Sequence, residues 1–156
     1  MRVWASERGV VRVEWPEEKP PLPAGKRCRQ YSPPQAGESV ERGVNWAEVA
    51  LHEIEEYLEG RRRVFTVPVD DAGLSSFARG VSRGCRRVDY GQTISYGELA
   101  ARVGQPGAAR AVGQVMAHNR VPLIVPCHRV VAAGGLGGFG GGLEMKRRLL
   151  ELEAQA

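Results

Sequence analysis

The side chains with the most evident capacity for chemistry stand together in residues 121–131, VPLIVPCHRVV. An apolar run and a proline lead into Cys127, His128 and Arg129, and two valines follow. The thiolate of a cysteine is the nucleophile, and the thiol is not. An ordinary cysteine is only a few per cent thiolate at neutral pH. Here the next residues are an imidazole and a guanidinium, and cations near a thiol favour the thiolate. Lowering the thiol pKa by about two units corresponds to roughly 2.7 kcal/mol of differential stabilisation. The plainer reading of a cysteine between apolar segments is a buried, inert small hydrophobe. Successive side chains of an extended strand point to opposite faces. His128 therefore needs a bend, which Pro126 can supply, or a bridging water to reach the sulfur.

The rest of the chain must position these groups. Its 156 residues suffice for one ordinary domain or two small ones. With 42% hydrophobic and 26% charged residues it is too apolar for disorder. The net charge of +4 is unevenly spread. Residues 1–77 hold 11 basic and 13 acidic side chains, whereas residues 78–156 hold 11 and 5. A basic second half suits a polyanionic partner. No stretch approaches the roughly 18 apolar residues that cross a membrane, and no apolar run follows the first arginine as in a signal peptide. Three widely spaced cysteines, Cys28, Cys85 and Cys127, argue against a disulfide framework and for a reducing, cytoplasmic setting.

Residues 2–15 read as a hairpin, with Val3, Val11 and Val13 in alternating stretches and Glu7-Arg8-Gly9 at the turn. Residues 16–43 carry most of the prolines and no period, which predicts a long irregular segment. Asn45 caps a helix over 45–59 through Val49, Ile54, Tyr57 and Leu58, ended by Gly60. Residues 63–69 predict a short strand, with Pro68 at its edge or exit. A helix over 75–88 follows through Phe77, Val81 and Cys85, weakened by Gly80 and Gly84. Ser95 and Glu98 form a capping box for a helix through Tyr96, Leu99, Ala100 and Val103. Gly104-Gln-Pro-Gly107 breaks it, and a second helix runs over 108–117, so the pair is a helix-turn-helix candidate. This second helix, AARAVGQVMA, is small-surfaced with one projecting cation, Arg110. Small residues let a backbone approach a partner closely, whether DNA or another helix.

The run PCHRV, with Asn119 eight residues before the cysteine, resembles the active-site signature of methylated-DNA–protein-cysteine methyltransferases, the O6-alkylguanine-DNA alkyltransferases. The resemblance extends from about Phe77 to Glu153 through TISYGELA, AARAVGQVM, NRVPLIVPCHRVV and GGLEMKRRLLELE. YLEGRRRVFTVPVD is similar to the family's join between two domains, and residues 1–44 match weakly. The resemblance implies an α+β protein. Residues 1–70 would be a small RNase-H-like β-sheet domain, and residues 71–156 a helical, winged-helix-like domain carrying the site.

The resemblance also implies roles. Cys127 accepts the alkyl group from O6-alkylguanine, and from O4-alkylthymine, in a single turnover that consumes the protein. His128 takes the thiol proton through water, and Glu153 orients and charge-stabilises His128, the nucleophile–base–orienter logic of triads. Asn119 braces the active-site turn, and Tyr96 donates its hydroxyl to guanine and crowds the flipped nucleotide's phosphate. Arg110 fills the space the extruded base leaves, with Ala108, Ala109, Ala111, Gly113 and Gln114 against the DNA. Met116, Arg129, Val130, Phe139 and Gly140 are expected around the substrate, where the carbonyls of Cys127 and Val130 read the guanine amino group. The implied partner is double-stranded DNA, the implied state a monomer, and no cofactor is implied. An atom inside a duplex is hard to reach, so the nucleotide must be flipped out at a cost of a few kcal/mol. The chain departs from some members at Gly140 (Ser there), Phe139 (Tyr), Gln114 (Gly) and Ser82 (Trp).

Other readings are weaker. Gly135 to Gly140 satisfies GxGxxG, but only 16 residues follow, too few for a dinucleotide fold. Cys28 and His52 fall short of a tetrahedral zinc set. A non-catalytic binder of the alkyltransferase-like type would lack the acceptor cysteine. A regulator using only the helix-turn-helix would not need it.

Overall fold

The computed structural model describes residues 1–15 and 44–155. The expected irregular segment 16–43, with Cys28, lies outside the described residues. The chain divides into two compact units, Met1–Asp70 and Asp71–Ala156. The described residues form five α-helices and two small two-stranded sheets, a mixed helix and sheet architecture. None of these helices is long and apolar enough to cross a membrane.

In the first unit, β1 (Arg2–Ser6) and β2 (Gly9–Glu14) pair as an antiparallel hairpin. Trp4 faces Arg12 but Ala5 faces Val10, so Val11 is the extra residue of a β-bulge. The bulge reverses the alternation. Val10 and Val13 are buried while Val11 is exposed, contrary to the simple two-residue period that grouped Val11 with Val13. Helix α1 (Trp46–Leu58) starts at Asn45, whose side chain accepts from the Glu48 N–H. Its buried residues, Ala50, Glu53, Ile54 and Tyr57, follow the i, i+3, i+4, i+7 spacing of one helical face.

Residues 63–69 are not a strand. They make one isolated bridge, Val69 beside Val10, with Val10 N–H donating to the Pro68 carbonyl and Asp70 N–H to the Val10 carbonyl. The reason is competition for donors. The N–H groups of Thr66 and Val67 donate to the buried carboxylate of Glu53, and Pro68 has none to offer.

In the second unit, α2 (Ser76–Arg86) is capped by Ser75 and buries Val81, Gly84 and Cys85. Gly84 is a packing device here. A Cβ at that position would lie 2.7 Å from Val103 Cγ1 and 3.2 Å from Leu99 Cδ1. The glycine thus permits the close approach of α3 (Tyr96–Arg102). Both halves of the Ser95–Glu98 capping box are present, and Gly104 ends the helix region in the left-handed conformation. Helix α4 (Ala109–Ala117) buries Val112 and Met116. Strand β3 (Ile94–Ser95) pairs in parallel with β4 (Val130–Val131). This short ladder ties the start of α3 to the segment just after Cys127. Helix α5 (Leu143–Ala154) closes the unit, burying Met145, Lys146, Leu149 and Glu153.

Candidate active site

Residues 127–129 do not continue as an extended strand. They form a single 3-10 turn after Pro126, in which the Arg129 N–H donates to the Pro126 carbonyl. Three residues per turn send successive side chains in three directions. Cys127 faces a cavity, while His128 and Arg129 reach one carboxylate. The approach is fastened by Asn119. Its amide donates to the Val125 carbonyl at 2.9 Å and its oxygen accepts from the Val121 N–H at 3.1 Å. Between these anchors Leu123 adopts φ of 71°, an uncommon conformation for a non-glycine residue.

The cavity has a volume of about 360 Å³ and is lined by Tyr96, Gly113, Met116, Ala117, Cys127, Gly138, Phe139 and Gly140. That volume lies within the usual size of small-molecule sites. Five residues expected near substrate or DNA therefore line it with the thiol: Tyr96, Gly113, Met116, Phe139 and Gly140. A Cβ at Gly137 would stand 3.0 Å from both the Tyr96 ring and its hydroxyl, at a backbone φ of +69°. Glycine at that position lets the loop lie against Tyr96. At Gly140 an added Cβ meets nothing within 4 Å. Ala108, Ala109, Arg110, Ala111 and Gln114 lie at the start and on the surface of α4, with Arg110, Ala111 and Gln114 exposed.

Behind the cavity, His128 Nε2 lies 2.8 Å from Glu153 Oε1, both side chains being fully buried. Glu153 also accepts from the Gly91 N–H at 3.0 Å and from the Arg129 guanidinium. Burial lowers the His128 pKa below its ordinary value, against the pull of Glu153, so the imidazole is neutral near pH 7. With hydrogen on Nε2, Nδ1 is the nitrogen able to accept a proton.

Two placements differ from the sequence expectation. Arg129 and Val130 are not among the residues lining the cavity. The turn swings Arg129 onto Glu153, and the Val130 carbonyl accepts from Lys146 Nζ at 2.6 Å. Nor does the site lower the thiol pKa outright. Burial pushes Cys127 up, opposed by the Asn119 side chain, the Lys146 ammonium and the N–H groups of Cys127 and His128. The cation acting on the thiol is thus Lys146, which the sequence reading passed over. Its ammonium also donates to the carbonyls of Leu136 and Gly138, fixing the loop that roofs the cavity. Burial lowers its pKa, and the nearby Cys127 raises it. A detectable signal was its phase. Lys146 falls on the α5 face that carries Met145, Leu149 and Glu153, where a charge is out of place.

Residues 76–155 match the family described as 6-O-methylguanine DNA methyltransferase, DNA binding domain. A relative from Mycolicibacterium paratuberculosis, a methylated-DNA–protein-cysteine methyltransferase, is 47% identical over 105 residues, covering 67% of this chain. The chain belongs to this methyltransferase family. The match spans 63% of the length of that relative. Among solved structures, the family member OGT of Mycobacterium tuberculosis in complex with DNA aligns with a TM-score of 0.66 and 45% identity, over 69% of this chain and 67% of that one. An arginine-to-leucine variant of the M. tuberculosis O6-methylguanine methyltransferase covers 98% of this chain and 91% of its own, with a TM-score of 0.70 and 34% identity.

Proposed function

We propose that the protein is a direct-reversal DNA alkyltransferase, moving the alkyl group of O6-alkylguanine, and of O4-alkylthymine, onto Cys127 in one irreversible turnover. The observation that carries this reading is the placement of Cys127 on a cavity with Tyr96, directly before a buried His128–Glu153 pair. The thiol proton passes through a bridging water to His128 Nδ1, and Glu153 stabilises the imidazolium that forms. The Cys127 sulfur then bonds to the alkyl carbon as the carbon–O6 bond breaks. Guanine leaves with that electron pair and takes up a proton, for which the Tyr96 hydroxyl is the donor, itself restored from the imidazolium. The net exchange is a thiol hydrogen for an alkyl group.

The protein would act as a monomer on double-stranded DNA. Family membership, the DNA complex of the M. tuberculosis relative and the exposed Arg110 on α4 support that partner. In this reading the flanking small residues lie against the backbone, while Arg110 occupies the gap left by the flipped nucleotide. The first unit corresponds to an RNase-H-like scaffold and the second to a winged-helix-like domain, a reading supported by the hairpin with α1 and by α3–α4 beside the β3–β4 ladder.

Incubation with duplex DNA containing O6-methylguanine, followed by intact mass, tests the reading. A gain of one methyl group, absent in Cys127→Ala, is expected. Binding of the lesion without any mass gain by the wild type would overturn it. Arg110→Ala should slow repair of duplex DNA at least tenfold more than reaction with free O6-benzylguanine. Equal losses would remove Arg110 from base flipping.

A further inference from the structure

Arg129 is a buried cation for which the alkyl-transfer scheme above has no use. It is only 5% exposed. Its Nε lies 3.1 and 3.0 Å from the two oxygens of Glu153, and Nη2 lies 2.9 Å from Oε1. Nη1 donates to the Val88 carbonyl at 2.6 Å, and the Tyr90 ring stands 5.6 Å from the guanidinium. The guanidinium is thus held by α5, by the Val88 carbonyl just beyond α2 and by an aromatic face, which leaves it no freedom to swing into the cavity. Oε1 of Glu153 is shared between this guanidinium and His128 Nε2.

We propose that Arg129 is a positioning residue that sets the proton affinity of His128 by sharing its carboxylate. The inference rests on the alkyltransferase reading for its role in the reaction. Its effect on the imidazole stands on the geometry alone. A carboxylate serving His128 alone would draw the imidazole toward the protonated form, in which it can no longer take the Cys127 proton. A carboxylate already neutralised by Arg129 gives His128 a fixed orientation with a weaker pull. It also keeps the proton taken from sulfur on the imidazole, because a carboxylate held by a guanidinium is a poor proton acceptor. The charged and titratable groups acting on His128 are Glu153 and Lys146 from α5 and Arg129 from its own turn. Glu153 favours the imidazolium and the two cations oppose it, in line with the sharing geometry.

The test uses the full chain with Arg129→Met, which keeps bulk without charge, and Arg129→Lys, which keeps the charge. NMR titration of His128 reads its pKa without any alkyl transfer. The pH profile of methyl transfer from O6-methylguanine DNA reads the consequence. In Arg129→Met, both the titration midpoint and the acid limb of the profile should move up by roughly one pH unit. Arg129→Lys should bring them most of the way back. Should Arg129→Met not fold, Arg129→Lys alone decides. A single ammonium in place of the fork shares the carboxylate less fully and should move the midpoint up by a smaller, measurable amount. A His128 midpoint unchanged from wild type in each folded variant would overturn the proposal. So would a uniform rate loss with an unmoved acid limb. If the titration shifts but wild-type protein transfers no methyl group, the positioning role stands and the alkyltransferase reading fails.

Discussion

Glu53 in the first unit and Glu153 in the second are both almost fully buried, both accept several hydrogen bonds, and both are paired with an arginine. Their remaining donors differ. Glu53 takes the Thr66 hydroxyl and the N–H groups of Thr66 and Val67, with Arg62 at 3.1 Å. Every one of those donors is fixed in its protonation, and together they pin residues 62–67 to α1. Glu153 takes the Gly91 N–H, the Arg129 guanidinium and an imidazole. The same expedient for burying a carboxylate therefore gives a clamp in one unit and, in the proposed reading, a proton relay in the other. What separates them is whether one donor can change its charge.

Neutralising each carboxylate should expose that difference most sharply. Glu153→Gln should slow methyl transfer on the order of 100-fold or more, as expected for loss of acid–base assistance. Glu53→Gln should cost about 2 kcal/mol, from weakened charge-assisted hydrogen bonds. It should leave the rate per folded molecule unchanged. Thermal unfolding together with single-turnover kinetics measures both. Comparable rate losses, at a temperature where both variants are folded, would break the distinction.

The pH dependence comes next in size. Because burial lowers the His128 pKa, the neutral base persists below the ordinary value of 6.5. The transfer rate should reach its half-way point below pH 6.5 and fall about tenfold per unit beneath the depressed pKa. Glu53→Gln should show the same limb. An acid limb at or above 6.5 in the wild type would contradict the burial argument.

A smaller effect is expected where neither carboxylate is touched. Gly137→Ala drives a Cβ against the Tyr96 ring in a backbone conformation that disfavours side chains, a strain of about 1–3 kcal/mol. The rate should drop about tenfold through displacement of Tyr96, with the acid limb in place. Gly140→Ala, where the added atom meets open space, should change stability by less than about 0.5 kcal/mol. If the two alanines behaved alike in unfolding and kinetics, the contact with Tyr96 would not matter.

Features carried by neighbouring residues were legible in the sequence. The hairpin, the Asn45 and Ser95 caps and the helices, α3 and α4 among them, all depend on contacts a few residues apart. Features set at a distance were not. The strand expected over 63–69 failed because its donors are captured by Glu53, 13 and 14 residues away. The resemblance puts Arg129 at the substrate, whereas its partner Glu153 lies 24 residues on, beyond any local pattern. Lys146 was passed over for the same reason, as its carbonyl partners sit 8 to 16 residues earlier. The bulge at Val11 depends on the facing strand, which periodicity cannot register.

The 3-10 turn at Cys127–Arg129 has a consequence for how the chain tolerates change. Cys127 faces the cavity, while His128 and Arg129 approach one buried carboxylate from different directions. Inserting or deleting one residue there would rotate each side chain into its neighbour's place, with all three mismatched at once. Substitutions elsewhere can accumulate one by one, but this stretch can change its length only by losing the whole arrangement.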